Sequence, residues 1–510
     1  MSQVQQSVSA MPRLIHEAVA RQVRLRPTAV ALVYRGQRVD YATLDAAANA
    51  YAAALQAAGV RPRTIVPVLL PRTPRLVAVL LAVLKCGAAY AVLDRRWPPE
   101  RINQVADLAQ AAVMVAEVET PRSRVGSWIA PDESLSRTAV SRVAPPRVRV
   151  EDADAAAVFF TSGSTGAPKG VLSPHRATMR LFSEGGLAGF RPGRVMLQAA
   201  PAAWDAFGLE LWGPLTTGGA CAIADTDHLL PDDLAGIIAD ACVDTAWLTS
   251  SLFNFLVDED EPGRSCFSGL SQIFTGGERL SPTHVARFLD RHGDVDLING
   301  YGPAESCVFA TTHRVGAADC RRPGGIPLGL PVPETAVYVL NGDRVAAPGT
   351  VGEICLAGAG LALGYVNAPE ATANAFTRIQ LDAGLVRLYR TGDRGVLDAD
   401  GLLHFRGRTD FQVKIAGVRI EPGEIEVTAR SLPGVRDAAV IPVPAANGGY
   451  DRLVMFYTAA DSVAVTPGEV RRALAARLPA HLVPHLVRQR VALPTTTTGK
   501  LDRRSLLASL

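Results

Sequence analysis

The feature that most constrains the fold is an alternation of two kinds of segment along the first four-fifths of the chain. Apolar runs rich in β-branched residues alternate with longer amphipathic stretches rich in Ala and Leu. Such alternation is typical of parallel, doubly wound α/β architecture. Near the start of the chain it predicts a helix over 41–56, a strand over 64–70, a helix over 74–85 and a strand over 87–94.

The pattern changes after Leu402, where short strands and helices follow each other closely. We place a boundary at 407–410, which divides the chain into a large N-terminal part, 1–409, and a C-terminal domain, 410–510, of ordinary domain size. The smaller part is predicted to hold two short strands and a helix within 404–426, strands over 437–443 and 453–458, a helix over 467–478, and then a loop and tail. The polar, Pro-broken segment 117–155 is interpreted as a connection between subdomains.

Composition excludes several classes of protein. The 52 basic and 49 acidic residues leave a net charge of +3, too small and too dispersed for a nucleic-acid-binding surface. The longest apolar stretch, 76–93, is interrupted by Lys85 and Gly87, so neither a signal peptide nor a membrane span is predicted. Seven scattered cysteines without C-x-x-C favour reduced thiols in a cytoplasmic enzyme. His481 and His485 lack the Glu of H-E-x-x-H, so no zinc pair is predicted.

Residues 161–170, TSGSTGAPKG, are a candidate phosphate-binding loop between a strand over 155–160 and a helix near 174. Glycines allow the backbone to approach an anion, while hydroxyl groups and an ammonium supply donors. The loop is not a G-x-x-x-x-G-K-[ST] motif, because Gly follows the Lys. Taken alone, it is equally a surface turn. Its candidate binding residues are Thr161, Ser162, Gly163, Ser164, Thr165, Gly166 and Lys169.

This loop is also the signature of adenylate-forming enzymes, and eight further motifs of the family occur in order along the chain, one before the loop and seven after it. Together they resemble the amino-acid adenylation domains of nonribosomal peptide synthetases over nearly the whole chain. The resemblance implies a large N-terminal domain of doubly wound and distorted-barrel subdomains with a small, mobile α+β C-terminal domain. The further motifs are LKCGAAYAVLD at 84–94, WDAFGLELW at 204–212, NGYGPAES at 299–306, GEICLAGAGLALGY at 352–365, YRTGD at 389–393, GRTDFQVKIAGVRIEPGEIE at 407–426, LPAHLVP at 478–484 and TGKLDR at 498–503.

The resemblance implies a ligase that joins a carboxylate to ATP as an acyl-adenylate, releases pyrophosphate and passes the acyl group to a thiol. Because two anions meet at the α-phosphate, the site must supply cations. Lys500 resembles the lysine that bridges both anions, and Glu305 resembles the Mg²⁺ ligand. The implied nucleotide contacts are adenine stacking by Tyr301, an adenine-edge contact by Asn299, ribose binding by Asp393, a ribose or phosphate contact by Arg408, and backbone contacts at Gly277 and Gly302.

Asp410 matches the hinge of the family. The resemblance implies that the small domain rotates there, presenting Lys500 for adenylation and then Lys414 with Gly417 for thioester formation. Lys414 is equally interpreted as a solvated strand lysine. Lys85, in the last turn of a predicted helix, is expected to be structural.

Two positions depart from the family pattern. Ala304 stands where Thr is usual and Ala416 where Arg is common, so one hydroxyl and one cation are absent. Loss of the hydroxyl costs about 1–2 kcal/mol unless a neighbour replaces it, for which Thr165 and Ser306 are candidates.

Asp205 is the most discriminating residue of the implied acyl pocket. By resemblance it pairs with the α-ammonium of an amino acid, and a buried carboxylate needs such a partner. TAWLTSSLF lacks the double proline that usually marks the position of Trp247. The apolar wall resembles those of valine-activating domains, with isoleucine, 2-aminobutyrate and nonproteinogenic analogues as alternatives. The implied wall residues are Ala206, Leu209, Trp247, Phe274, Gly276, Gly300, Val308 and Phe309.

The sequence contains no carrier-protein or condensation motif. We therefore expect a stand-alone enzyme or domain that uses a phosphopantetheinylated carrier protein in trans, and an MbtH-like protein is a further candidate partner. Two other interpretations are an acyl- or aryl-CoA ligase, which Asp205 disfavours, and a non-catalytic member, which only Ala304 and Ala416 favour.

Overall fold

The computed structural model describes residues 11–117, 143–161, 168–261, 263–381, 384–445, 449–460, 465–495 and 501–510, and the backbone of 127–129. The strands are β1 (Val30–Tyr34), β2 (Gln37–Asp40), β3 (Ile65–Leu69), β4 (Ala89–Val92), β5 (Met114–Ala116), β6 (Ser127–Ile129), β7 (Ala155–Thr161), β8 (Lys169–Pro174), β9 (Val195–Gln198), β10 (Ala220–Ile223), β11 (Thr245–Thr249), β12 (Gln272–Gly276), β13 (Asp296–Tyr301), β14 (Thr311–Arg314), β15 (Leu330–Pro331), β16 (Thr335–Asn341), β17 (Arg344–Val345), β18 (Gly352–Gly358), β19 (Gly364–Tyr365), β20 (Phe376–Leu381), β21 (Gly384–Leu397), β22 (Leu403–Arg408), β23 (Val413–Ile415), β24 (Val418–Ile420), β25 (Val435–Pro444), β26 (Tyr450–Ala459) and β27 (Leu486–Arg490).

The α-helices are α1 (Ile15–Leu25), α2 (Tyr41–Ala57), α3 (Pro74–Lys85), α4 (Pro99–Leu108), α5 (His175–Met179), α6 (Asp205–Thr217), α7 (Pro231–Ala241), α8 (Ser250–Asp258), α9 (Pro282–Arg291), α10 (Pro369–Ala375), α11 (Pro422–Arg430), α12 (Pro467–Ala475) and α13 (Arg503–Ala508). Many begin with Pro, whose fixed φ suits the first turn and whose missing N–H costs nothing there. None of the helices in the described part of the chain combines the length and apolar character needed to cross a bilayer.

Two large sheets, built mainly from parallel strands, form the N-terminal part. One has the order β15-β14-β13-β12-β11-β9-β10-β1-β2 and the other β19-β8-β7-β4-β3-β5-β6. A single core cluster joins them, because it contains Leu32 of β1, Val68 of β3 and the apolar faces of α2, α3 and α6 between the sheets. This arrangement confirms the predicted doubly wound α/β class. A third, antiparallel sheet, β17-β16-β18-β21-β20 with β22 beside β21, lies in the region where a distorted barrel was expected.

Residues 410–510 form the hairpin β23–β24 and the sheet β25-β26-β27, covered by α11 and α12. Ile425, Val440, Met455 and Val470 are fully buried in a core cluster separate from those of the large sheets. The helix predicted within 404–426 is confirmed, but the second of the two predicted strands is split into the hairpin β23–β24, because Ala416 and Gly417 form a turn. The exact boundary at 407–410 stays a prediction.

Two sequence predictions about irregular segments were wrong in part. The segment 117–155 contains the short strand β6, which extends a sheet by parallel pairing with β5. The predicted tail contains α13, since the Asp502 carboxylate caps the backbone N–H groups of Arg504 and Ser505. Leu506 of that helix is 2% exposed and packs in a core cluster with Ile441 and Phe456. The sequence analysis missed both elements because their local sequence signals are weak and packing against a neighbouring element stabilises them.

Lys85 is a structural residue, as predicted. It ends α3 and its ammonium lies 2.6 Å from Asp45 Oδ1 and 2.5 Å from Asn49 Oδ1, both on α2. The side chain is 6% exposed, so the ion pair is largely shielded from water. Lys85 therefore fixes two helices of the central layer to each other.

Candidate active site

The candidate site is a cleft of about 380 Å³ at the carboxyl ends of β11, β12 and β13. In these parallel strands Thr249, Gly276 and Gly300 lie in register, so the residues that follow them converge on one edge of the sheet. Open α/β sheets bind ligands at this edge. The other walls come from β7, from 391–393 and from the β23–β24 hairpin.

Glycine is required where β12, β13 and the following loop approach each other. A Cβ at Gly276 would lie 2.1 Å from the Gly300 carbonyl oxygen, and a Cβ at Gly300 would lie 2.2 Å from the Phe309 ring. These two predicted pocket residues therefore let the strands and the Phe309 side chain pack closely beside the cleft.

Asp205 begins α6 and lines this cleft. Its Oδ2 accepts a hydrogen bond from Val308 N (3.1 Å), and its Oδ1 accepts one from Ala206 N (2.9 Å). Cys307 and Val308 have φ of +51° and +62°, a left-handed conformation that non-glycine residues rarely adopt. Burial raises the pKa of Asp205, while Val308 N–H and the charge of Lys414 oppose the shift. The carboxylate thus retains acceptor capacity toward a cation in the cleft.

The predicted acyl-pocket residues fall into two layers. Asp205, Ala206, Trp247, Gly300, Val308 and Phe309 line the cleft, and Trp247 does so from β11 despite the missing prolines. Leu209 and Phe274 are fully buried and do not line it, and Gly276 does not either. Phe274 packs beside Phe309, with ring centroids 6.1 Å apart. The second layer therefore acts on the pocket by supporting the first.

Asp393, the predicted ribose acceptor, has partners on both carboxylate oxygens. Tyr301 Oη donates to Oδ2 at 2.7 Å, and Arg408 Nη1 donates to Oδ1. Arg408 also donates from Nε and Nη2 to Asp410, at 2.7 and 2.8 Å. Although burial lowers the pKa of Arg408, the two carboxylates raise it above its ordinary value. Tyr301, Asp393, Arg408 and the predicted hinge residue Asp410 are thus brought together in one network.

Of the other predicted nucleotide-binding residues, some line the cleft and others do not. Gly277 and Gly302 line the cleft, whereas the Asn299 side chain donates to the Pro327 carbonyl oxygen at 2.7 Å and is not part of the lining. Lys169 lies opposite Thr161 in the β7–β8 pair, with its ammonium 5.5 Å from the centre of the Tyr365 ring. Ser162, Gly163, Ser164, Thr165 and Gly166 lie outside the described residues.

Lys500 also lies outside the described residues. Its described neighbours Thr495 and Leu501 pair in an isolated bridge, and neither lines the cleft. Leu501 instead packs beside Phe456 in the C-terminal part.

The β23–β24 hairpin lies in the cleft and brings Lys414 and Gly417 with it. Gly417 has φ +80°, and a Cβ there would lie 2.5 Å from Thr249 Cγ2 and 3.5 Å from the Trp204 ring. Burial lowers the pKa of Lys414, whereas the carboxylates of Asp393 and Asp205 oppose that effect. The position of Lys414 in the cleft favours a role in thioester formation over that of a solvated strand lysine.

Glu305 lies fully buried on a short turn after β13. Tyr365 Oη donates to its Oε1 at 2.8 Å, and Arg419 Nη1 lies 2.9 and 3.0 Å from its two carboxylate oxygens. Burial would raise the pKa of Glu305, but the Arg419 charge and the Tyr365 hydrogen bond hold it below the ordinary value. The carboxylate is therefore ionised.

A single carboxylate such as Glu305 can hold Mg²⁺ only when a bound nucleotide supplies further ligands. Within the described residues, no three His, Cys, Asp or Glu side chains converge on one point. Mg²⁺ bound with a substrate needs only one or two carboxylates, because phosphates and water supply the remaining ligands. Glu305 meets that requirement, but in this arrangement Arg419 occupies its oxygens.

Several residues of the cleft were missed by the sequence analysis. Arg419 was not singled out, nor was the ion pair between Arg101 of α4 and Glu424 of α11, 2.9 Å apart and 4% and 0% exposed. No sequence signal distinguished these residues, because the motif that contains Arg419 and Glu424 carries several other charged residues. His481 lines the cleft, whereas His485 Nδ1 accepts from Leu453 N, so these two His do not form a metal pair.

A second cavity of about 970 Å³ adjoins the first. Trp204 and Trp247 line both, and Ala416 of the hairpin closes one side. Its outer part carries Arg95, Arg96 and the exposed side chains of Leu230 and Phe255. This cavity can hold a long, thin group that reaches the acyl pocket from outside.

The sequence matches known families of AMP-binding enzymes over most of its length. The family of AMP-binding enzymes matches residues 19–366, and the C-terminal domain of AMP-binding enzymes matches residues 424–500. Malpibaldin synthetase of Mortierella alpina is 35% identical over 508 residues, which cover 97% of this chain and 9% of that protein. Tyrocidine synthase 3 of Brevibacillus parabrevis is 35% identical over 507 residues, which cover 98% of this chain and 8% of that protein. The chain thus spans less than a tenth of the length of either relative.

Two of the solved structures with the same fold combine an adenylation domain with a carrier domain. Holo-PA1221, a synthetase protein with adenylation and PCP domains bound to a vinylsulfonamide inhibitor, superimposes with a TM-score of 0.86 at 33% identity, covering 98% of this chain and 84% of that one. NpsA-ThdA, an artificially fused adenylation-PCP di-domain from Klebsiella oxytoca, gives a TM-score of 0.84 at 25% identity, covering 94% of each chain.

Proposed function

The chain belongs to the AMP-binding enzyme family as an ATP-dependent adenylating ligase of the nonribosomal-peptide-synthetase type, and we propose that its substrate is a small branched aliphatic amino acid. The product of the first step is an aminoacyl-AMP, and pyrophosphate leaves. The second step transfers the aminoacyl group to the phosphopantetheine thiol of a carrier protein acting in trans.

Asp205 is the observation that carries the proposal. The Asp205 carboxylate, which is partly buried, accepts hydrogen bonds from two backbone N–H groups and faces the cleft, and removal of such a charge from water without a cation beside it is costly. The α-ammonium of an amino acid supplies that cation. A fatty or aromatic acid has no positive charge at this place and would leave Asp205 uncompensated.

The wall of the cleft supports a small aliphatic side chain. Trp247 and Phe309 take up volume, Val308 is branched, and Ala206 presents a single methyl group. None of these four side chains is ionisable, so they disfavour charged substrate side chains. A methylene contributes only about 1–3 kcal/mol to discrimination in such a pocket, so valine would be preferred over isoleucine and 2-aminobutyrate by modest factors.

The chemistry assigned to the site needs positive charge at the α-phosphate. Lys500 would bridge the carboxylate and phosphate, Asp393 and Tyr301 would hold the ribose and adenine, and Glu305 would bind Mg²⁺ with the nucleotide phosphates. When bound, the metal neutralises phosphate charge and stabilises the departing pyrophosphate. Placement of reactants and electrostatic stabilisation then account for most of the catalysis.

The 970 Å³ cavity supports the proposed thiol acceptor. It adjoins the acyl pocket and is lined in part by the exposed side chains of Leu230 and Phe255, so a flexible arm could pass along it. Holo-PA1221 contains a carrier domain in addition to an adenylation domain, which favours a carrier protein as the donor of this arm.

Amino-acid-dependent exchange of labelled pyrophosphate into ATP tests the proposal. We expect the highest exchange rate with valine among the proteinogenic amino acids, lower rates with isoleucine and 2-aminobutyrate, and background rates with charged amino acids. Exchange supported by a carboxylic acid without an amine, and by no amino acid, would identify an acyl-CoA ligase instead. Background exchange with every acid tried would favour a non-catalytic member.

A further inference from the structure

Arg180 is a fully buried arginine that lies behind the candidate site. It begins a short turn directly after α5, and only 1% of the residue is exposed. Its Nη2 donates to the carbonyl oxygens of Ser306 (2.8 Å) and Phe309 (2.6 Å). Its Nη1 donates to the Ala177 carbonyl oxygen, and its Nε donates to Thr335 Oγ1 at 3.1 Å. Within the described part of the chain, these hydrogen-bond partners are all neutral, so no carboxylate compensates the charge directly.

The surroundings of Arg180 indicate why an arginine lies there. A buried charge without an opposite charge beside it is unfavourable, so its presence needs a reason. Arg carries five N–H donors on a rigid, planar group, so it can hold several carbonyl groups at once. Gly360 provides the space, because a Cβ there would lie 2.4 Å from Arg180 Cζ. The guanidinium therefore fits a site that is shaped for it and that fixes the backbone of residues 306–309.

The two carbonyl groups held by Nη2 belong to the first and last residues of the segment 306–309, which is a strained turn. Between them, Cys307 and Val308 have φ of +51° and +62°. A β-branched residue such as Val rarely adopts this conformation, which persists only where the surrounding structure enforces it. Thr178 Oγ1 contributes one contact, 3.5 Å from Cys307 Sγ. Arg180 contributes the larger one, because a single nitrogen holds both ends of the turn.

The turn in its strained form builds part of the amino-acid pocket. Val308 N donates to Asp205 Oδ2 at 3.1 Å, and Val308 and Phe309 both line the cleft. If the turn relaxed to negative φ, the Val308 N–H would point away from Asp205 and both wall residues would move. Arg180 itself does not line the cleft, so any effect it has on the pocket passes through the turn.

We propose that Arg180 is a positioning residue for amino-acid recognition, which holds the 306–309 turn in the left-handed conformation that directs the Val308 N–H to Asp205. This inference rests on the proposed function, in which Asp205 binds the α-ammonium of the substrate. Among the described residues, the hydrogen-bond partners of Arg180 do not include Asp393 or any other residue assigned to ATP. Arg180 should therefore affect binding of the amino acid more than binding of ATP.

Pyrophosphate exchange by the full chain with Arg180→Gln tests this inference. Exchange by wild-type protein first identifies the amino acid with the highest rate, and KM is then measured for that amino acid and for ATP. We expect the KM for the amino acid to rise by at least about tenfold in Arg180→Gln, the loss expected for one hydrogen bond to a charged group. The KM for ATP and kcat should stay within about threefold of wild type, because the change affects amino-acid binding alone.

Arg387 provides the matched control. Its Nη1 and Nη2 donate to the carbonyl oxygens of Ala362 (2.9 Å) and Leu363 (3.0 Å), so it also holds two backbone carbonyl groups. Neither of them belongs to the 306–309 turn. Arg387→Gln should lower the melting temperature, as Arg180→Gln does, but should keep the wild-type KM for the amino acid. An equal rise of this KM in both variants would show that Arg180 only supports the fold.

A double variant separates positioning of the turn from packing. Glycine adopts positive φ readily, so Cys307→Gly removes the strain at one residue of the turn. Cys307 does not line the cleft, so the wall keeps its side chains. Addition of Cys307→Gly to Arg180→Gln should lower the KM for the amino acid by at least about threefold relative to Arg180→Gln, a coupling typical of residues in one network. A KM that rises further in the double variant would contradict the proposed role.

The outcomes separate this inference from the proposed function. Wild-type exchange with an amino acid, combined with an unchanged KM in Arg180→Gln, would overturn the inference and leave the proposed function intact. Absence of exchange with every amino acid would overturn both. If Arg180→Gln fails to fold, Gly360→Ala replaces it, because the added Cβ displaces the guanidinium without removing its charge. The KM for the amino acid should then also rise, and an unchanged value would overturn the inference.

Discussion

At the scale of single residues, the site is dominated by three buried or partly buried carboxylates whose partners decide what they can bind. Asp205 holds two backbone N–H groups and faces open space, Asp393 holds a Tyr and an Arg, and Glu305 holds an Arg from the C-terminal part. Of these three, Asp205 is the one that faces the apolar pocket, so in the proposed function it is the carboxylate that would select for a cationic group on the acyl substrate.

Replacement of Asp205 by Asn tests that selection. Hydrogen bonds to charged groups contribute about 1.5–3 kcal/mol, so kcat/KM for valine in pyrophosphate exchange should fall by about 10- to 100-fold. Exchange with 3-methylbutanoate, which lacks the amine, should not fall. Asp258→Asn, which alters an ion pair on the surface with Arg287, is the control and should keep the wild-type rate for valine. Equal losses for both substrates would mean that Asp205 only supports the fold.

Glu210 is a second buried carboxylate on α6, one that the mechanism does not use. Its Oε2 accepts from Ala199 N (3.1 Å), Ala200 N (2.9 Å) and Gln198 Nε2 (3.2 Å), which fixes the start of the segment 199–204 beside Trp204. Burial raises the pKa of Glu210 to about 8, although the three hydrogen bonds oppose the shift.

The raised pKa of Glu210 predicts a pH dependence of stability. Between about pH 4.5 and 8 the folded state keeps a proton on Glu210 that the unfolded state has released, so this residue contributes less stability as the pH rises. The free energy of unfolding should therefore decrease with pH more steeply in wild type than in Glu210→Gln, by up to about 1.4 kcal/mol per pH unit. Urea denaturation of both proteins at pH 6, 7 and 8 measures the difference, and parallel curves would contradict the prediction.

At the scale of elements, patterns in the sequence predict the long segments best. The helix over 74–85 agrees at both ends with α3, because its residues other than Arg75 and Lys85 are apolar and because it starts with Pro and stops before Gly87. The helix over 41–56 and the strand over 64–70 agree with α2 and β3 within one residue at each end. By contrast, β6 and α13 are too short for a periodic signal, and their stability comes from neighbouring elements.

In the proposed function, the β23–β24 hairpin is the element that connects the fold to the second half-reaction. Gly417 allows it to lie against Thr249 and Trp204 with a left-handed backbone. Gly417→Ala should therefore prevent docking while the hairpin itself still forms. We expect pyrophosphate exchange to stay within about twofold of wild type, since in the proposed function adenylation does not need the hairpin in the cleft. Transfer of the aminoacyl group to a carrier thiol should fall by at least about tenfold for a clash near 1.4 kcal/mol.

Gly401→Ala is the matched control for this prediction. Gly401 has φ +78°, close to that of Gly417, but a Cβ there meets nothing within 4 Å. The two substitutions therefore share the backbone cost and differ in the contact with Thr249. Equal transfer rates in both variants would show that contact between the hairpin and Thr249 is not needed for the second step.

At the scale of the whole molecule, the sequence predicts the parts but not their relative placement. The change of pattern after Leu402 indicates a separate C-terminal part, and the motifs predict which residues share a nucleotide site. Which face of that part meets the cleft depends on contacts such as Arg419–Glu305 and Arg101–Glu424, between residues 114 and 323 positions apart. No local pattern encodes pairs at that separation, so Arg419 became recognisable only from the structure.

The whole account depends on a single product, the aminoacyl-adenylate. The most direct test mixes the full chain with ATP, Mg²⁺ and valine and detects enzyme-bound valyl-AMP by mass spectrometry, with Lys500→Ala as the comparison. We predict valyl-AMP in an amount comparable to that of the enzyme for wild type, and at least about 100-fold slower formation in the variant, as expected when a transition-state charge contact of about 2.7 kcal/mol or more is lost. Failure to form an aminoacyl-AMP from any amino acid, or equal formation by Lys500→Ala, would contradict the account.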